Sequence, residues 1–118
     1  GYTNMKYTKH ATVTATDEVT VFTVPTGYHA EVSYVYIANH GGSTNACTAY
    51  FDDGTNELHL LDSTNVSSGG HEEFYRGIFV LHAGEQFKVQ TGSAGDVEFA
   101  CTFDLVEEPA VLVNFSDG

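Results

Sequence analysis

The sequence predicts an all-β chain, an antiparallel β-sandwich of jelly-roll type with about eight to nine strands. Three observations predict it. Apolar residues alternate with polar ones at period two, the spacing of a strand with one face buried. Nowhere over a long window do they recur at the three- and four-residue spacing of a helix. Turn residues punctuate the chain at roughly ten-residue intervals, as they do in sandwiches.

Taken in order, residues 1–8 read as a polar N-terminal arm carrying Tyr2 and Tyr7, ahead of a sandwich domain over 9–107. Ala11, Val13 and Ala15 alternate with Thr12, Thr14 and Thr16. Further strands are expected over 18–24, 29–39, 45–52, 57–62, 71–76, 78–82 and 86–91, all enriched in the Thr, Val, Tyr and Phe that suit a pleated surface. The clearest alternation is the closing one, where Val97, Phe99, Cys101, Phe103 and Leu105 are interleaved with Glu98, Ala100, Thr102 and Asp104. Pro25-Thr26-Gly27 predicts a type I turn with Pro second and Gly fourth. His82-Ala83-Gly84-Glu85 predicts a type II turn, with Gly at its positive-φ position. Gly41-Gly42, Asp53-Gly54 and Ala94-Gly95 mark three more reversals, and 63–70 is expected to be the longest polar loop. After Glu107-Glu108-Pro109 comes Ala110-Val111-Leu112-Val113-Asn114-Phe115, apolar on both faces of an extended chain. Residues 108–118 therefore read as a C-terminal arm or a last strand, set off by Pro109.

The 118 residues make one ordinary domain, and 42% hydrophobic content is enough for a core. Sixteen Asp and Glu against four Lys and Arg give a formal charge of -12. That field repels phosphate backbones and anionic lipid, so nucleic acid and membrane are excluded as expected partners. No apolar run approaches the ~18 residues of a membrane helix. The opening Gly1-Tyr2-Thr3-Asn4-Met5-Lys6 has no basic region followed by an apolar stretch, so no secretory signal is expected. Asn65-Val66-Ser67 and Asn114-Phe115-Ser116 match the glycosylation triplet, a pattern common by chance.

Candidate chemistry is sparse. Asp52-Asp53-Gly54-Thr55-Asn56-Glu57 gathers carboxylates at a turn but lacks the spaced ligands of a calcium loop, so a hairpin is the expectation and calcium the alternative. His10, His29, His40, His59, His71 and His82 show no compact ligand spacing; scattered surface imidazoles are expected, and no metal site or cofactor. Glu72 and Glu73 are adjacent on a strand and so point to opposite faces, which prevents them from forming a glycosidase pair alone. No nucleophile elbow, P-loop or dinucleotide fingerprint is present, and no catalytic residue is assigned. Cys47 and Cys101 alternate with apolar neighbours; two reduced core thiols are expected, with a disulfide as the alternative. Tyr28, Tyr34, Tyr36 and Tyr50 are the one aromatic concentration. Tyr34 and Tyr36 share a face of strand 29–39 whose other face carries Val35 and Ile37. A strand apolar on both faces is central and covered or half of an interface, and sugar stacking is a third use for such rings.

Val21-Phe22-Thr23-Val24-Pro25-Thr26-Gly27-Tyr28, leading into Val35-Tyr36-Ile37-Ala38-Asn39, resembles small β-sandwich proteins of tailed bacteriophages. Ile78-Phe79-Val80-Leu81-His82-Ala83-Gly84-Glu85-Gln86-Phe87-Lys88-Val89-Gln90 and the closing strand 97–106 are similar too, so the resemblance covers residues 19–107. It implies a virion component assembled in the host cytoplasm, either a capsid decoration (cement) protein or an accessory protein of neck, tail or fibre. The decoration role is the leading expectation. It would be a non-enzymatic adhesion in which the sandwich caps the shell and contacts the major capsid protein or other virion subunits. The same resemblance implies a homo-oligomer, a trimer at three-fold positions. A tail- or fibre-borne module that binds a host-surface carbohydrate or receptor is the alternative. The interface candidates are Tyr34 and Tyr36 on the long strand and Val111, Leu112, Val113 and Phe115 in the C-terminal segment.

Overall fold

A computed structural model describes residues 4–75 and 79–109. The described residues form nine strands and no helix: β1 (Asn4–Val13), β2 (Val19–Thr23), β3 (Tyr28–Asn39), β4 (Asn45–Asp52), β5 (Glu57–Val66), β6 (His71–Phe74), β7 (Phe79–Leu81), β8 (Gln86–Thr91) and β9 (Val97–Glu107). Among the described residues, therefore, no helix is long and apolar enough to cross a membrane.

The strands pair as one long hairpin. β4 and β5 form its tip, and β8 lies along β2 and β9 along β1, each antiparallel. β6 and β7 pair with the two halves of β3, at Val35–Ala38 and Ala30–Val32. This ribbon rolls up so that β9 also pairs with β3 and β8 also pairs with β4. The two sheets that result run β1-β9-β3-β6, with β7 beside β3, and β2-β8-β4-β5. With β6 and β7 counted as one interrupted strand, this is the order of an eight-stranded jelly roll. The all-β class and the sandwich expected from the alternation are thus what the chain forms.

Both inner faces supply the core. Phe87, Val89, Cys47 and Ala49 from one sheet meet Ile37, Val35, Phe99 and Cys101 from the other, all with at most 1% of their surface exposed. Burying an aliphatic or aromatic side chain contributes roughly 1.5–3 kcal/mol, so these residues dominate stability. Phe22 stacks on Phe103 at 4.3 Å between centroids, closing the seam between β1 and β2.

Four details differ from the sequence reading. From Asn4 onward the expected N-terminal arm is strand, because β1 hydrogen-bonds along β9 from Asn4↔Val106 to Val13↔Val97. Its polar composition reflects an edge position, where Lys6, Thr8 and Thr12 face water. That strand ends at Val13, so Ala15 lies in the following bend, where its carbonyl accepts from Thr91 Oγ1 at 3.2 Å. The first half of the expected loop 63–70 is strand too: β5 runs to the buried Val66, passing an irregularity at Ser63, whose φ is +50°. Finally, Gly27 is the third residue of its turn rather than the fourth. Tyr28 N donates to Pro25 O at 3.2 Å, and φ at Gly27 is +88°, a conformation that favours glycine. The turn before β8 is as expected, with Gly84 at φ +86° and Glu85 N donating to His82 O.

Candidate binding surface

The outer face of the β1-β9-β3-β6 sheet is where the interface candidates Tyr34 and Tyr36 sit. β3 shifts register between Val32 and Tyr34, so Ser33 is the extra residue and the outward alternation restarts at Tyr34. Tyr34 and Tyr36 are consequently side by side, 6.3 Å between centroids with planes 13° apart. Opposite them on β9 stand only Thr102 and Ala100, which leaves the rings half-exposed. Tyr34 OH donates to Glu73 Oε1 at 2.9 Å, and Tyr36 lies 5.8 Å from the His71 ring. Desolvation, then the Glu73 carboxylate, raise the Tyr34 pKa above its ordinary value, so the hydroxyl stays a donor at neutral pH. Beyond them the face continues to the exposed Val80 and Tyr75, 50% and 62% accessible. Its far side is polar: Lys6 pairs with Asp104 at 2.8 Å, and Thr8 and Thr102 share a hydrogen bond.

The opposite outer face is organised differently. Tyr50 stacks on His59 at 5.0 Å and donates its hydroxyl to Glu18, while Lys88 bridges Asp52 at 3.1 Å and Glu18 at 3.8 Å. Tyr50 is buried here, with its pKa raised by desolvation and by Glu18. Asp52 is held below the usual carboxylate range by the Gly54 N–H and by Lys88. Here the polar groups satisfy one another, so among the described residues this face is a closed network and the Tyr34–Tyr36 face is the open one.

Two further groups bear on chemistry. Cys47 and Cys101 are unlinked and buried, and burial pushes their pKa values up to about 11 and about 12, which makes them poor nucleophiles at neutral pH. Among the described residues no group of three His, Cys, Asp or Glu is placed to hold a metal ion. The carboxylates of 52–57 form turn geometry instead: Asp53 Oδ1 accepts from Thr55 N and Asn56 N, and Asp52 Oδ1 from Gly54 N. Glu73 belongs to Tyr34, as the opposite-face argument for Glu72 and Glu73 allows. The other candidates, Val111, Leu112, Val113 and Phe115, lie outside the described residues.

Sequence reasoning missed Asn39 and Asn45, the two buried polar side chains that flank the 40–44 loop. Asn39 Nδ2 donates to Ser43 O and Val66 O, both at 2.9 Å, and Oδ1 accepts from Gly41 N at 2.8 Å. Asn45 Nδ2 donates to Ser93 O, and its Oδ1 accepts from Ser93 N and Oγ. They tie together the loops that close one end of the sandwich. The only signal in the sequence is their position beside Gly41-Gly42 and near Gly95. A Cβ at Gly41 would come within 3.1 Å of Asn39 Oδ1, and one at Gly95 within 3.0 Å of Asn45 Nδ2.

The eight-stranded jelly roll is an architecture shared by viral capsid domains, lectins and cupins. Among solved structures, the chain is similar over 98% of its length to the whole of a chain in the acidic stable capsid of Helicobacter pylori bacteriophage KHP30, with a TM-score of 0.58 at 15% identity. A chain of the cyanophage Pam1 capsid is similar over 92% of this chain and 87% of its own, with a TM-score of 0.52 at 13% identity. A chain of the disulfide-linked pili that form Bacillus endospore appendages is similar too, with 92% and 89% covered and a TM-score of 0.54 at 11% identity. At such identities what is shared is the fold. No protein-family model matches the sequence, and no curated protein matches it significantly.

Proposed function

We propose that this chain is a non-enzymatic structural protein of a bacteriophage virion, a decoration protein that adheres to the capsid and reinforces contacts between shell subunits. The observation that carries the proposal is the end-to-end likeness to a chain of a phage capsid, over 98% of this chain and the whole of that one. The open Tyr34–Tyr36 face supports it, since tyrosines on a rigid sheet supply contact area at small entropic cost. The inert thiols and the self-satisfied network around Tyr50 agree with a role without chemistry. The -12 charge keeps the outward surface hydrated and away from packaged nucleic acid. Its partners would be the major capsid protein and further copies of itself, in a symmetric oligomer of three-fold type.

The test is co-sedimentation of the purified protein with empty capsids of the phage that encodes it, alongside counting of its copies in purified virions. Decoration predicts saturable binding and a copy number that matches the repeating positions of the shell. A handful of copies per particle, with no capsid binding, would overturn it. The adjacent Tyr34 and Tyr36 rings favour a second reading, a tail or fibre module that stacks on a host glycan. Binding to a glycan panel abolished by Tyr36→Ala is its signature.

A further inference from the structure

Where β9 ends, the chain is at one end of its own sandwich. The β3–β9 ladder runs to Tyr28↔Glu107 and continues one step further, with Glu108 N donating to Gly27 O at 2.8 Å. The Glu108 carboxylate is held beside the His29 ring at 3.2 Å, and Pro109 restricts Glu108 to extended backbone. The described chain therefore reaches Pro109 at the Pro25 end of the sandwich, and residues 110–117 follow from there. Eight residues span at most about 28 Å. Val111, Val113 and Phe115 fall on one side of an extended chain, followed on that side by Asp117.

The same end of the sandwich offers a matching receptor. β1 and β2 are the outermost strands of their respective sheets, and between them lies a cleft of about 250 Å³ lined by Tyr7, Lys9, Phe22, Pro25, Phe103 and Leu105. Its floor is the aromatic run Tyr7–Phe103–Phe22, at 5.9 Å and 4.3 Å between centroids. Lys9 stands out in so acidic a protein. Lys6 and Lys88 are each paired with carboxylates, whereas Lys9 lies 5.6 Å over the Tyr7 ring and pairs with none among the described residues. Its register partner Cys101 is further from the Pro25 end than Leu105 is, so Lys9 marks the inner end of the cleft.

We infer that the cleft between β1 and β2 receives residues 111–117 of a second copy of this chain. An extended segment entering at the Pro25 end runs against β2, whose free edge can pair with it as an added antiparallel strand. Val111, Val113 and Phe115 then follow the aromatic floor inward, and Asp117 arrives at Lys9. Because donor end and receptor mouth share one end of the molecule, two copies that meet there exchange segments reciprocally. Filling its own cleft would instead require a reversal directly after Pro109, and a turn of about four residues would use up Val111 and Val113 before they reached the aromatic floor. The inference deepens the decoration reading by naming a contact between its subunits, but it can fail separately.

Engineered cysteines test it, since the native thiols are buried. Thr23 is exposed at the cleft rim. When Thr23→Cys and Val113→Cys chains are mixed and mildly oxidised, a disulfide between the two different chains is expected, located by peptide mass. Truncation after Pro109 should weaken self-association by about tenfold or more in sedimentation, with Tm nearly unchanged. Lys9→Glu should weaken it as well, with the difference shrinking at high salt. The inference is overturned if the doubly substituted chain closes its disulfide within one chain, if no cross-link forms, or if truncation lowers Tm without changing association. Capsid binding measured on the same preparations keeps the two proposals apart. Capsid binding without the cross-link rejects the exchanged segment alone; the cross-link without capsid binding rejects decoration alone.

Discussion

Replacing Asn39 by Ala should destabilise the fold more than any other single polar truncation at the loop end of the sandwich. The side chain is 2% exposed and makes three hydrogen bonds, to Ser43 O, Val66 O and Gly41 N. The backbone bonds of residue 39, to Gly70 O and from Gly69 N, survive the change. At about 1 kcal/mol net per bond the loss is about 3 kcal/mol, and more if water does not reach the abandoned carbonyls. With about 2.1 cal/mol/K of unfolding entropy per residue, 118 residues give about 0.25 kcal/mol/K, so Tm should fall by about 12 °C. Differential scanning calorimetry and urea titration measure it directly. Ser68→Ala is the control, because its bond to Gly41 O is exposed and its removal should cost under ~0.5 kcal/mol. A Tm drop below ~4 °C for Asn39→Ala, with the urea m-value unchanged, would mean that water substitutes for the amide and that the clamp is not structural.

Three more outcomes are expected. Alkylation in denaturant without reductant should modify both Cys47 and Cys101, whereas the native protein at pH 8 should react slowly because burial raises both thiol pKa values; a pair that reacts only after reduction would refute it. Stability should plateau between about pH 5 and pH 9 and fall on both sides. On the acid side, the lowered pKa values of Asp52 and Asp53 mean a contribution present above the ordinary 3.8 and lost as pH falls through the folded values. On the alkaline side, the raised pKa values of Tyr50, Cys47, Cys101 and Lys88 mean contributions present below their ordinary values and lost as pH rises beyond them, so Tyr50→Phe should make that limb shallower without removing it. If Tyr50→Phe leaves the alkaline fall as steep, the Glu18 bond is not among its sources. Last, Tyr34→Ala with Tyr36→Ala should weaken capsid binding by about tenfold or more while leaving Tm within ~5 °C, since both rings are half-exposed; unimpaired binding would move the interface to another face.

The alternation of Val97, Phe99, Cys101, Phe103 and Leu105 made β9 and its buried face legible without any structure, because side-chain direction in a strand depends only on parity. Gly84 was legible for a similar local reason: a positive φ excludes most other residues. The Tyr34–Tyr36 pair was legible as one face. That this face is the open one was not, since Thr102 and Ala100 become their neighbours only when β9, over sixty residues later, lies against β3. The same distance hid β1. Asn4–Val13 carries too little apolar content to announce itself as a strand, and it becomes one because β9 offers it an unpaired edge.

The sequence by itself therefore determined the class of fold, the strands with strong alternation, the inward side of Cys47 and Cys101 and the acidic charge. All of these follow from composition or from the chemistry of residues close in the chain. Only the tertiary structure decided which strands are neighbours. It thereby decided that Asn39 and Asn45 are buried clamps, that Glu73 serves Tyr34, and that Glu108 lies beside His29. Strand pairing depends on the sum of many weak contacts between residues far apart in the chain, and no local pattern carries that sum.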